Sequence, residues 1–116
     1  NAAERIAALF LELLERQFPI DVNHHELELR TPSDFAAQLN IHVNHLNRAL
    51  KECAGKTTTQ VIAERILQEA RMLLKHSSLN VSEISDALGF SEVTYFNQFF
   101  RKHAQMNPLK FRSQPG

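Results

Sequence analysis

The chain has little of what punctuates or cross-links a fold. Its 116 residues include one cysteine, three glycines, four prolines and no tryptophan. Cys53 alone can form no intrachain disulfide, so a reducing cytoplasm is the simplest setting. The few glycines and prolines lie at segment edges and leave little room for hairpins, and no stretch alternates convincingly with period two. The longest apolar run, Ile6 to Leu11, stops at Glu12, far short of the ~20 residues a bilayer requires, so no membrane association is expected. Asn1-Ala2-Ala3 has neither an initiator methionine nor a secretion pattern and is expected to be a cut boundary. The length allows one compact domain, or two small ones sharing a helix. A net charge is also lacking, with 13 basic and 13 acidic residues. The distribution is uneven. Residues 1–30 hold three basic and six acidic residues, whereas 31–116 hold ten and seven. An acidic leader thus precedes a mildly basic remainder, which permits nucleic-acid binding without requiring it.

What the chain does have is a repeat. Leu39 to Ile62 recurs in edited form in the stretch Leu88 to Arg112. Leu39/Leu88 and Ile41/Phe90 are 49 apart, while Leu46/Phe96, Asn47/Asn97, Leu50/Phe100, Lys51/Arg101 and Val61/Phe111 are 50 apart. One inserted residue near Ser91 accounts for the change. Helix-start signals recur as well. Thr31-Pro32-Ser33-Asp34, Thr57 with Gln60 and Asn80 with Glu83 have the form of capping boxes, Asn107-Pro108 is a cap followed by proline, and Ser91 can cap a segment beginning at Glu92. They predict an all-α chain of about seven helices, at roughly 3–17, 32–39, 43–53, 58–76, 81–88, 92–103 and 108–113. Gly89 and its partner Asn40 suit a left-handed turn residue. The first helix carries Ile6, Leu9, Phe10, Leu13 and Leu14 on one stripe. The polar stretch Ile20 to Arg30, with His24-His25, is expected to be an ordered loop or connector.

Two of these helices separate into unlike faces. In 43–53, Leu46, Ala49, Leu50 and Cys53 face inward, and Asn44, Asn47, Arg48 and Lys51 form the opposite stripe. In 92–103, Phe96, Phe99, Phe100 and His103 face inward, and Thr94, Asn97, Gln98 and Arg101 face outward. Asn, Gln and Arg have the donor and acceptor geometry that reads adenine and guanine edges in a major groove, while Lys51, Arg101 and Lys102 suit phosphates. One polar helix face is ordinary solvated surface. Two at matched positions, each behind the same turn and low in acids, favour DNA. Helix 58–76 would join them as a rod of about 28 Å, close to the ~34 Å between successive major-groove faces. Val61, Ile62, Ile66, Leu67, Ala70, Leu73 and Leu74 are its expected core contacts, and Glu64, Arg65, Glu69, Arg71 and Lys75 its solvated face.

The segment Thr31 to Arg112 resembles the DNA-binding domain of the AraC/XylS family of bacterial transcription regulators. The second half carries Val81-x-Glu83-Ile84-x-x-x-Leu88-Gly89-Phe90, Tyr95-Phe96, Phe99-Phe100-Arg101-Lys102 and Pro108-x-x-Phe111-Arg112. The first half carries His45-Leu46-Asn47-Arg48, Lys51 and Gly55, followed by Arg65 and Ala70-x-x-Leu73-Leu74. The resemblance implies two homeodomain-like helix-turn-helix subdomains, 31–57 and 77–116, bridged by the linker helix 58–76. It places base contacts at Asn44, Asn47 and Arg48 in the first reader, and at Val93, Thr94, Asn97 and Gln98 in the second. His45, Lys51, Arg101 and Lys102 would meet phosphates. It implies double-stranded DNA and RNA polymerase as partners, a cytoplasmic protein working at the nucleoid, and no cofactor. Residues 1–30 would then be the junction to an N-terminal sensor or dimerisation domain, or a packing helix, or both.

Gln105 stands where the family usually has glycine, in a left-handed turn that costs a non-glycine residue on the order of 1 kcal/mol. Ser85 replaces a usual alanine. Neither Val93 nor Gln98 carries the positive charge that Arg48 brings to the first reader, so the first subdomain is expected to discriminate sequence more strongly. Other function classes fit less well. His24, His25, His42, His45 and Cys53 lack the paired spacings of a zinc site, so no metal is expected. The acids are scattered, and no phosphate loop or convergent catalytic set is present, so no enzyme is expected. A helical protein-interaction module on the same fold is the alternative.

Overall fold

The computed structural model describes residues 1–21 and 27–116 and contains no strand among them. Its helices are α1 (Ala2–Glu15), α2 (Pro32–Gln38), α3 (Val43–Ala54), α4 (Thr58–His76), α5 (Val81–Ala87), α6 (Val93–Ala104) and α7 (Pro108–Ser113). Each lies within two residues of the span expected from sequence. The chain divides into two compact units, Asn1–Phe18 with Glu28–Glu64, and Pro19–Leu27 with Arg65–Gly116, and the division falls inside α4.

Capping fixes most starts. The Thr31 hydroxyl accepts from the Asp34 N–H at 3.1 Å, and the Asp34 carboxylate accepts from the Thr31 N–H at 3.0 Å. Asn80 and Glu83 make the same reciprocal pair, as do Thr57 and Gln60, while Asn107 accepts from the Lys110 N–H. These bonds satisfy donors that a helix leaves open in its first turn. The start of α6 departs from expectation. Its N-cap is Glu92, without a side-chain bond, and Ser91 lies one residue further out.

The turns explain the change in repeat spacing. Asn40 and Ile41 donate to the carbonyls of Ala37 and Ala36, and Gly89 and Phe90 donate to those of Asp86 and Ser85, all four bonds being 49 residues apart in pairs. Asn40 and Gly89 both take positive φ, at 58° and 82°. The next pair of N-caps, His42 and Glu92, is 50 apart. The extra residue is therefore accommodated between Phe90 and Glu92, which is Ser91. Ser85 and its counterpart Ala36 are both buried, and the Ser85 hydroxyl finds no partner among the described residues.

In the first unit α1 packs on α3 and α2. Phe10 meets Phe35 edge-on at 5.1 Å, over fully buried Leu46 and Leu50. Of the expected stripe, Phe10 and Leu14 are buried and Ile6 and Leu13 half-buried, whereas Leu9 is 53% exposed and Ala7 is buried in addition. In the second unit Phe96 and Phe100 are fully buried, with Phe90 against Phe96 and Phe111 against Phe100, each pair at 5.4 Å. The expected core residues of α4 are buried apart from Val61, which is half-buried. Its charges are not all solvated. Glu69 is 2% exposed, accepts the Ile20 N–H at 2.9 Å and pairs with Arg65 at 3.3 Å. An acid on this inner face is kept by the backbone donor it satisfies, which no helical periodicity reveals.

Candidate nucleic-acid interface

Within each unit the turn delivers a twelve-residue helix, α3 or α6, whose apolar side is sunk in the core. On α3, Leu46, Ala49 and Leu50 are buried, whereas Asn44, His45, Asn47, Arg48 and Lys51 are exposed. On α6, Phe96 and Phe100 are buried; Thr94, Gln98, Arg101 and Lys102 are exposed, as is Val93 at 36%, and Asn97 is half-buried. Every base-reading and phosphate-meeting candidate except the half-buried Asn97 is therefore exposed on the side of its helix away from the core.

Two inward assignments fail together. Cys53 and His103, one register apart, are both exposed. Each sits in the last turn of its helix, beyond the neighbours that bury the preceding turns. His103 instead rests against the half-buried Phe99 ring at 4.7 Å.

Both helices end alike. Gly55 and Gln105 take left-handed φ of 69° and 65°, with their N–H groups donating at 3.0 Å to the carbonyls of Lys51 and Arg101. The Gln105 amide also donates to the Lys102 carbonyl at 3.2 Å, which holds a residue that the backbone conformation disfavours. The starts differ in chemistry. His42 caps α3 by accepting the Asn44 N–H on Nδ1 at 3.1 Å, so this nitrogen is occupied as an acceptor. The His42 and His45 rings stand 6.3 Å apart. His24 and His25 lie outside the described residues.

Three features escaped sequence reasoning, although the register contained the signal for each. Tyr95, 54% exposed on α6, is the counterpart of His45 and shares its outward position. Along α3 runs a groove lined by Pro32, Asn47, Arg48, Lys51 and the threonines at 57–59. Along α6 a second groove is lined by Val81, Val93, Asn97, Arg101 and residues 107–109. Pro32/Val81, Asn47/Asn97, Lys51/Arg101 and Thr59/Leu109 are equivalent pairs in the repeat. Among the described residues no acid lines either groove. Asn, Gln and Arg on such a ridge can exchange paired hydrogen bonds with base edges, and the cations beside them can meet phosphate oxygens.

Comparison with known proteins agrees with this geometry. Residues 35–114 match the family described as a helix-turn-helix domain. The HTH-type transcriptional activator RhaS of Escherichia coli (strain K12 / DH10B) is 31% identical over 112 residues, covering 97% of this chain and 37% of RhaS. The chain thus spans a little over a third of the length of that relative. A Chromobacterium violaceum transcriptional regulator with an AraC-type DNA-binding domain superimposes with a TM-score of 0.71 at 25% identity, covering all of both chains. The DNA-binding domain of the global transcriptional factor AdpA, solved with a target DNA, gives a TM-score of 0.72 at 20% identity over 90% of each chain. At that identity the last likeness concerns the fold.

Proposed function

The chain belongs to the AraC/XylS-type helix-turn-helix domains, and from that premise we propose that it is the sequence-reading part of a transcription regulator acting on double-stranded DNA. α3 and α6 enter successive major grooves, with α4 as the connecting rod. Asn44, Asn47 and Arg48 read bases from the first unit; Val93, Thr94, Asn97 and Gln98 read from the second. His45, Lys51, Arg101 and Lys102 hold phosphates, joined by Tyr95 through its phenol. The observation that carries this reading is the pair of matched polar ridges, each uncovered on a helix whose other side is buried.

In the intact protein the leader α1 and the connector after it form the joint to a sensing or dimerising domain, and the regulator works at the nucleoid by recruiting or obstructing RNA polymerase. No catalytic step or cofactor enters this account.

Titration of labelled duplex DNA at several salt concentrations tests it. Binding should weaken steeply as salt rises, because each neutralised phosphate adds about 0.9 to the slope of log affinity against log salt. A chain that binds no duplex at low salt is a protein-interaction module instead.

A further inference from the structure

The turns that precede the two readers are closed by the same hydrogen bonds, except for one. An α-helix leaves its last four carbonyls without a partner inside the helix. On α5 the turn itself fills three of these: Leu88 donates to Ile84, Phe90 to Ser85 and Gly89 to Asp86. The fourth carbonyl, that of Ala87, accepts the N–H of Leu27 at 3.1 Å. α2 closes alike through Leu39, Ile41 and Asn40. The carbonyl of Gln38, the counterpart of Ala87, receives no backbone N–H among the described residues. Burial follows the bond. Ala87 and Leu88 are buried, whereas Gln38 is exposed and Leu39 half-buried.

Leu27 is itself buried, and so is Ile20, whose N–H is held by buried Glu69 at 2.9 Å. Pro19–Leu27 belongs to the second unit, although the chain on either side of it belongs to the first. The turn that Leu27 reaches carries Phe90, whose ring lies 5.4 Å from each of Phe96 and Phe99 on α6. We propose that Leu27, seated with Ile20 and Glu69, is a positioning residue of the second reader. Its N–H completes the α5 turn, and through Phe90 that turn sets how α6 presents Thr94 and Gln98. This rests on the DNA-binding reading above and adds a route for its regulation. A displacement at Leu27 reaches the second reader through Ala87, whereas the turn of the first reader closes without any such bond.

Leu27→Pro removes the N–H, and the first unit supplies an internal control. Amide hydrogen exchange of Gly89 and Phe90 should quicken about three- to tenfold, the factor that one hydrogen bond carries. Asn40 and Ile41, which close the first turn, should keep their rates, and so should Gln105 at the far end of α6. Leu27→Ala keeps the N–H and only loosens its seat. It should show the same pattern at smaller size, and it carries the test if the proline variant does not fold. Binding is then measured on a duplex selected from random sequences and on the same duplex with the second reader's box shuffled. Leu27→Pro should bind the first about three- to tenfold more weakly than the unaltered chain does, and the shuffled one equally well. Exchange that quickens equally at Asn40 and Ile41, spreads to Gln105 or does not change would overturn the proposal. So would a loss of affinity that is the same on both duplexes. In each case DNA binding by the unaltered chain still stands. Failure of the unaltered chain to bind either duplex would instead remove the DNA-binding reading itself, whatever the exchange rates.

Discussion

The two units fill equivalent cores with their bulk in different places. The first puts Phe35 on its opening helix α2 and Leu46 and Leu50 on its reader α3. The second puts Ile84 on α5 and Phe96 and Phe100 on α6, at the corresponding positions. Large residues on one helix are balanced by smaller ones on the other, which preserves total volume at a fixed backbone geometry. The closing elements differ too. Phe10 of α1 completes the first core, and Phe111 of α7 closes against Phe100 in the second. What the copies share residue by residue is the turn hydrogen bonding, the left-handed helix ends and the uncovered ridge. The comparison teaches that this backbone tolerates exchange of its apolar filling while it keeps the presentation of the reader.

The strongest perturbation should be at the anchor of the segment leaving α1. In the first unit the Gln17 amide exchanges two hydrogen bonds with the Leu29 backbone, at 2.9 and 3.0 Å. In the second, buried Glu69 holds the Ile20 N–H and Arg65. Loss of a buried, paired carboxylate is costlier than loss of a neutral amide. Glu69→Ala should lower stability by about 3 kcal/mol, against about 1–2 kcal/mol for Gln17→Ala, by urea denaturation. Equal effects would remove the distinction.

Next comes discrimination. Arg48 and Gln98 are register partners, and only Arg48 combines charge with bidentate reach. Arg48→Ala should weaken specific binding by about 2 kcal/mol and Gln98→Ala by about 1 kcal/mol. A larger loss from Gln98→Ala would reverse the ranking of the units.

A reciprocal exchange isolates the helix ends. A Cβ at Gly55 would meet nothing within 4 Å, so Gly55→Gln should cost about 1 kcal/mol from the backbone alone, and Gln105→Gly should recover about the same. Thermal melts that move in the same direction would contradict this account. The smallest effect concerns acid. Hydrogen bonds from the Arg30 backbone, then from Thr31, hold the Asp34 carboxyl below its ordinary 3.8, against the opposing effect of burial. A depressed folded value gives stability that is present at neutral pH and lost as pH falls through that value. Asp34→Asn should therefore lower stability at neutral pH and flatten its decline below about pH 4.

Most of the helical layout was legible because caps, prolines and left-handed residues are local signals: Thr31, Asn80, Asn107, Gly89 and Asn40 each act where the sequence places them. The ridge residues were legible because two copies constrained each other. What failed depended on tertiary surroundings. Helical phase puts Cys53 and His103 inward, but phase cannot say where the neighbouring helices stop. Glu69 reads as a surface charge until the Ile20 N–H that it satisfies is known. The groove linings at Pro32 and Val81 come from helices other than the readers, so the pattern of one helix does not expose them, although the repeat register pairs them.

The central claim is that both ridges read DNA together, and selection of bound sequences from random duplexes tests it most directly. The account predicts two short boxes about ten base pairs apart, with Arg48→Ala erasing the information in one box and Gln98→Ala weakening the other. A single box, or no enrichment over the starting pool, would contradict it.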